Sequence, residues 1–311
     1  HIVYIYLVKN QIDALKKGDE ILILAPAKAI DLDCVLFSKT LLEKEGYRVS
    51  ISKNCTNRHH YFSGTEAERL SDFQEAIDNP NIKAILCARG GYGCVQIVDK
   101  IQWASFLRHP KWIIGFSDVT VLHQRIQNLE LPSIHGSMPL NFSSNSQETF
   151  KTLFSSLRKE PYQIKTKHNA NNKLGKASGK LVGGNLSIIY SLLGTNDQVN
   201  FEGAVLFVED IGEQLYSIDR MFYALSKSGV LDQISGLIVG GMTGLSDTNP
   251  PIGMSLEEIV LSHFQYKKTP VCFDFPAGHL DDNRALVFGE EINFLVEETG
   301  STVGFYAHKK V

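Results

Sequence analysis

An α/β protein built in two domains is the expectation for this chain, and three features carry it. The first is size, since 311 residues exceed one ordinary domain of ~100–200. The second is alternation: short apolar runs are followed by helical stripes, as in a mostly parallel sheet covered by helices. The third is a polar stretch, TKHNANNKLGKASG, which interrupts that alternation between residues 165 and 179 and reads as a linker. The predicted division is therefore an N-terminal, mostly parallel, helix-covered sheet over 1–164, a linker over 165–178, and a C-terminal α/β domain with mixed strands over 179–311.

The elements follow in order. ILILA (21–25) is a strand, and DLDCVLFSKTLLEKEG is a helix whose Val35, Leu36, Leu41 and Leu42 fall near one face, with Gly46 as its C-cap. Residues 47–51 form a second strand. A helix opening at Thr65–Ala67 runs through Leu70, Phe73 and Ile77 and is stopped by Asn79-Pro80. Strands at 84–88 and 112–116 come next, and Val119, Leu122, Ile126 and Leu129 mark the following helix. Beyond the linker, a strand at 204–208 precedes a helix carrying Leu215, Ile218, Phe222 and Leu225. Strands at 236–239, 271–275, 285–288 and 292–295 complete the pattern.

Composition excludes several classes. Hydrophobic residues make up 43% and charged residues 21%, which suits a globular core. Lys and Arg number 31 against 34 Asp and Glu, so no charge excess points to nucleic acid or an anionic membrane. Apolar runs such as Ile2–Val8 and Leu237–Gly241 fall far short of the ~20 residues of a transmembrane helix. The five cysteines (34, 55, 87, 94 and 272) are odd in number, scattered and free of C-x-x-C, as expected in a reducing compartment. With no basic segment ahead of an apolar stretch, a cytoplasmic location is expected. Ten histidines raise the question of a metal hydrolase, but the adjacent His59-His60 do not suit one ion, and H-E-x-x-H is absent. No metal or cofactor is expected.

Four segments could carry chemistry. In WIIGFSDVT, Ser117 lies between a strand and a helix, where a nucleophile elbow would hold its hydroxyl beyond the sheet. Val119 stands where G-x-S-x-G has Gly, and alone the segment reads more simply as a helix capped by Ser117 or Asp118. ARGGYG (88–93) follows another strand, and its glycines suit an anion-binding nest or merely a turn; Gln96 breaks a dinucleotide fingerprint. VEDIGEQLYSIDR brings Glu209 and Asp210 to the end of a strand, where they could equally be solvated or capping. FPAGH places His279 just past a predicted strand. Together these put Ser, Glu and His beyond strand ends in a chain order known for catalytic triads. A serine hydroxyl needs a base, imidazole titrates in the right range, and a carboxylate fixes its tautomer.

ILILAPA, ARGGYG, IIGFSDVT, LVGGNLS, VEDIGEQLYSIDR and FPAGH, in this order and spacing, resemble the LD-carboxypeptidase (muramoyltetrapeptide carboxypeptidase) family of serine peptidases, from about Leu15 to Phe305. The resemblance implies a two-domain enzyme, active as a homodimer, that removes terminal D-alanine from murein tetrapeptide in cell-wall recycling. It places the triad on Ser117, Glu209 and His279 and the oxyanion-hole N–H groups on Gly91 and Asp118. Glu213 is the rival carboxylate. Arg89 is a candidate for holding the substrate carboxylate, and Asn185 for substrate contact or, more simply, for capping the next helix. Two departures are visible: Ala27 stands where the family commonly has a small hydroxyl residue, and HIVYIYLVKNQI matches no family segment. Two further readings are a microcin C-type self-immunity hydrolase acting on a peptidyl-nucleotide and a non-enzymatic small-molecule binder. The first would need an adenine-stacking aromatic, and no extended aromatic insertion lies between Gly183 and Ser217. The second leaves the Ser, Glu and His coincidence unexplained.

Overall fold

A computed structural model describes residues 11–306; the apolar run Ile2–Val8 and most of the unmatched opening segment lie outside the described residues. The first half alternates as expected: β1 (Glu20–Leu24), α1 (Leu32–Lys44), β2 (Arg48–Ile51), α2 (Glu66–Asp78), β3 (Ile82–Cys87), α3 (Cys94–Ile97), α4 (Ala104–Arg108), β4 (Trp112–Gly115), α5 (Thr120–Asn128), β5 (Ser133–His135) and α6 (Gln147–Arg158). The second half contains β6 (Tyr162–Lys165), β7 (Gly175–Asn185), α7 (Leu186–Leu192), β8 (Val205–Ile211), α8 (Leu215–Lys227), α9 (Val230–Gln233), β9 (Gly236–Thr243), α10 (Leu256–Ser262), β10 (Val271–Cys272), β11 (Leu286–Phe288), β12 (Glu291–Glu297) and β13 (Gly300–Phe305). The helix predicted to open at Thr65 does so through a capping box, with the Thr65 and Glu68 side chains each bonded to the other's backbone N–H.

Two sheets result. The first has the order β11-β5-β4-β3-β1-β2 and is parallel except for β11, which runs antiparallel to β5. Its strand order reverses between β1 and β3, so a crevice opens beyond their carboxyl ends, where open α/β sheets hold ligands. The second has the order β10-β9-β8-β7-β12-β13-β6, with four parallel strands followed by three antiparallel ones. Strands such as Ile113 and Ile114 of β4, or Leu206 and Phe207 of β8, are buried on both faces and read as continuous apolar runs.

Three strands depart from the sequence expectation. The polar stretch over 165–178 is only partly irregular, because Gly175 opens β7 and its residues 175–180 pair with β12. Tyr162–Lys165 joins the second sheet through β13, although it precedes the stretch. Leu286–Phe288, near the far end of the chain, completes the first sheet against β5. Among the described residues, no helix is long and apolar enough to cross a membrane.

Candidate active site

At the end of β4 the backbone turns sharply. Ser117 has φ 63°, the left-handed region that a non-glycine residue enters at a cost of ~1–3 kcal/mol. The turn holds because Gly90 leaves room: a Cβ there would lie 2.9 Å from Ser117 Cβ and 3.1 Å from Ser117 Oγ. Behind it, buried His123 points Nε2 at the Gly115 carbonyl at 2.8 Å and Nδ1 at Ser133 Oγ at 2.8 Å. A ring nitrogen facing a carbonyl must carry the proton, so Ser133 donates to Nδ1. Burial lowers the His123 pKa to about 4, which keeps the ring neutral.

The second sheet supplies the partners. On β8, Glu209 and Asp210 are both buried but take different partners, Asp210 accepting from Asn185 Nδ2 and the Ser187 N–H. Glu209 Oε2 meets His279 Nδ1 at 2.6 Å, with the carboxylate fully buried and the imidazole side chain 16% exposed. His279 lies in the loop after β10 and must cross β9 to reach β8. Glycines permit this. The register of β8 and β9 slips opposite Glu209, at Gly240-Gly241, and the Gly241 N–H donates to the Ala277 carbonyl at 2.9 Å. A Cβ on Gly240 would sit 2.5 Å from that carbonyl, and one on Gly278 (φ +108°) 2.7 Å from Glu209 Cβ. The His279 ring packs edge-on against Phe116, centroids 4.8 Å apart, which brings the imidazole beside the residue preceding Ser117.

The structure thus joins Glu209 to His279 and sets His279 against Phe116, the residue before Ser117, while no hydrogen bond links Ser117 Oγ to His279 among the described residues. Glu213, the rival carboxylate, is half-exposed in the turn before α8 and does not bond to His279. Neither Ser117 nor Asp118 caps the following helix with its side chain, so the simple capping reading fails. The Asp118 carboxylate turns instead to the Gly-rich loop and accepts the Cys94 N–H at 2.8 Å. Burial raises its pKa, against the opposing pull of the Cys94 N–H. Among the described residues neither the Gly91 nor the Asp118 N–H donates to an acceptor. Arg89 is half-buried and donates from Nη1 to the Ala29 carbonyl at 2.8 Å. Asn185 is spent on structure: Oδ1 caps α7 at Ile188 N–H, 3.2 Å away, and Nδ2 donates to Asp210 Oδ1 at 2.9 Å. Among the described residues no three metal-ligating side chains converge.

Sequence reasoning missed Gly90, Phe116, Gly240 and Gly278. The pair Gly90-Gly91 offers no hint of which glycine faces the serine, whereas Gly278 beside a candidate base could have been flagged as a close-approach position.

Comparison with known proteins identifies the family of the chain. Residues 21–136 match the LD-carboxypeptidase N-terminal domain and residues 178–294 the LD-carboxypeptidase C-terminal domain. A probable murein peptide carboxypeptidase of Bacillus subtilis is 34% identical over 288 residues, 89% of this chain and 88% of that protein. The murein tetrapeptide carboxypeptidase of Pseudomonas aeruginosa is 30% identical over 280 residues, 86% of this chain and 90% of that one. The crystal structure of a muramoyltetrapeptide carboxypeptidase from Oxalobacter formigenes superposes with a TM-score of 0.84 at 24% identity, covering 92% of this chain and 98% of that one. A microcin C7 self-immunity protein shares the fold at a TM-score of 0.84 and 20% identity, over 94% of this chain and 98% of its own. With both of its halves matched and relatives spanning most of its length, the chain belongs to the LD-carboxypeptidase family of serine peptidases.

Proposed function

We propose that this enzyme hydrolyses the amide joining the L-configured centre of a diamino acid to the terminal D-alanine of murein tetrapeptide, in cell-wall recycling. The observation that carries the reading is the Glu209–His279 pair, 2.6 Å apart, whose imidazole packs on Phe116, the residue before a serine in the left-handed conformation. The names of the two curated relatives support the substrate class. Ser117 Oγ attacks the carbonyl carbon and its proton passes to His279 Nε2, since Nδ1 is engaged by Glu209. Glu209 fixes that tautomer and balances the imidazolium charge. The Gly91 and Asp118 N–H groups hold the tetrahedral oxyanion. The C–N bond then breaks, and His279 protonates the amine of departing D-alanine. Water repeats the sequence on the acyl-enzyme, its proton going to His279 and then back to Ser117. Arg89, with donors left over from its bond to Ala29, is assigned the free carboxylate of the substrate.

The proposal includes two domains divided near 165–178 with the site between them, and a homodimer in the cytoplasm. Five unpaired cysteines and the family resemblance support the last two. Hydrolysis of a peptidyl-nucleotide is the second reading, favoured by the shared fold of the microcin self-immunity protein. It uses the same serine and differs only in the pocket. The test is incubation with muramoyl tetrapeptide, following free D-alanine, with Ser117→Ala in parallel. We expect release by the native enzyme and none by the variant. Release that survives in the variant overturns the triad. No release, together with cleavage of a peptidyl-adenylate analogue, transfers the assignment to the second reading.

A further inference from the structure

The two proposed oxyanion donors come from different strands: Gly91 follows β3, and Asp118 follows β4. Nothing in either loop alone sets the gap between them, and an oxyanion hole works only when both N–H groups reach one oxygen. The side chain of Asp118 spans that gap. It is 1% exposed, and its Oδ2 accepts the Cys94 N–H at 2.8 Å where the Gly-rich loop enters α3. It does no work on its own helix, whose first turn has no side-chain cap. Oδ1 is buried with no hydrogen-bond partner among the described residues. The loop is also held from behind. Arg69, 2% exposed, donates to the Pro26 carbonyl at 2.9 Å, the Gly93 carbonyl at 3.1 Å and Gln96 Oε1 at 2.5 Å. From the front, Gly90 lies against Ser117, a Cβ there falling 3.3 Å from the Asp118 N.

We propose that the Asp118 carboxylate is a positioning residue that ties the Gly-rich loop to the nucleophile turn and so sets the spacing of the two oxyanion donors. The proposal rests on the serine-hydrolase reading above. It assigns one residue two jobs: its backbone N–H faces the oxyanion, and its side chain places the other donor.

The test uses the whole enzyme with Asp118→Ala, Asp118→Asn and Asp118→Ser. Two readouts are taken: kcat and KM for D-alanine release, and the rate at which a small fluorophosphonate labels Ser117. In labelling, Ser117 Oγ bonds to phosphorus, fluoride leaves, the serine proton goes to His279, and the phosphonyl oxygen occupies the oxyanion hole. It needs no murein substrate. We expect D118A to lose ~10²–10³-fold in kcat, the scale of one lost oxyanion donor, with KM within about threefold. Labelling should fall in parallel. D118N keeps an oxygen acceptor for the Cys94 N–H and should recover most of that loss. A folded D118A with near-native kcat and labelling overturns the proposal, as does an equal loss in D118N. If D118A does not fold, D118S takes its place, because its hydroxyl is too short to reach Cys94; native rates in folded D118S overturn the proposal equally. Native enzyme that releases no D-alanine yet labels at Ser117 refutes the substrate reading alone, and the labelling rates still decide the positioning role. Native enzyme that does not label at Ser117 refutes both.

Discussion

Ser117 keeps its left-handed backbone only because its neighbours leave space, and this makes two glycines testable. Gly90→Ala puts a methyl group 2.9 Å from Ser117 Cβ and 3.1 Å from Oγ. Gly90 lies outside the left-handed region, so an alanine there adds no backbone strain and its clash falls on the nucleophile turn. We expect kcat to fall ~10²-fold, the scale of a 1 Å misplacement of a reacting group, with little change in Tm. Gly278→Ala differs, because its φ of +108° adds backbone strain to a Cβ 2.7 Å from Glu209 Cβ. There kcat and Tm should both drop; a Tm that holds in G278A would show that the loop relaxes instead. The candidate triad was legible in the sequence as a candidate because Ser, Glu and His each sit just past an apolar run. The glycines that admit them were less so, since close approach is a property of the partner strand, and the partner is distant in sequence.

The elements around the turn carry a pH signature. His123 on α5 and His135 on β5 are both fully buried, and burial depresses both pKa values, that of His123 to about 4. An unfolded histidine titrates near 6.5, so between there and pH 4 the unfolded chain binds more protons. Stability is therefore fully present above about pH 6.5 and is lost as pH falls toward 4. For His123 the loss reaches about 2 kcal/mol by pH 5. The carboxyl groups of Asp118 and Asp210, both raised by burial, act in the opposite sense, so the comparison must isolate one ring. His123→Gln can still donate to the Gly115 carbonyl but takes up no proton. We expect urea midpoints at pH 7.5 and 5.0 to differ less in H123Q than in the native enzyme; an unchanged difference would refute the assignment. Most elements of the first half were readable because their strands are continuous apolar runs and α2 carries its own capping box. The first half of β7 was not. Its inward positions are Gly175, Ala177 and Gly179, small because a Cβ on Gly179 would strike the Gly203 carbonyl at 2.2 Å, and Lys and Ser face outward. Period-2 alternation between small and polar residues resembles a linker.

At the scale of the molecule, the two halves are sewn together by chain segments that the local pattern could not assign. β11 pairs with β5, and Phe288 packs its ring against His123 and His135 with centroids 5.4 Å away in both cases. The segment leading to β11 is fastened to the first half as well. Ser146 Oγ donates to Asp282 Oδ1 at 2.7 Å, and the Ala285 N–H donates to Thr152 Oγ1 at 2.9 Å. In return α5, which begins just after Ser117, reaches into the second half: Thr120 Oγ1 accepts the Asn185 N–H at 3.0 Å, and Arg125 forms a bidentate pair with Asp197. Length and alternation reveal two sheets, and the apolar run at 285–288 marks a strand, but nothing local tells that it returns across some 150 residues to pair with β5. The consequence is that a chain ending at residue 178 should not behave as an independent domain. It would leave β5, whose three residues are all buried in the intact protein, as a sheet edge with unpaired backbone groups. We expect this fragment to aggregate or to unfold without a cooperative transition, and co-expression with residues 179–311 to restore solubility. A monomeric fragment that melts cooperatively would show that β11 is an accessory to the first sheet, leaving the cleft between the halves free to open without disturbing it.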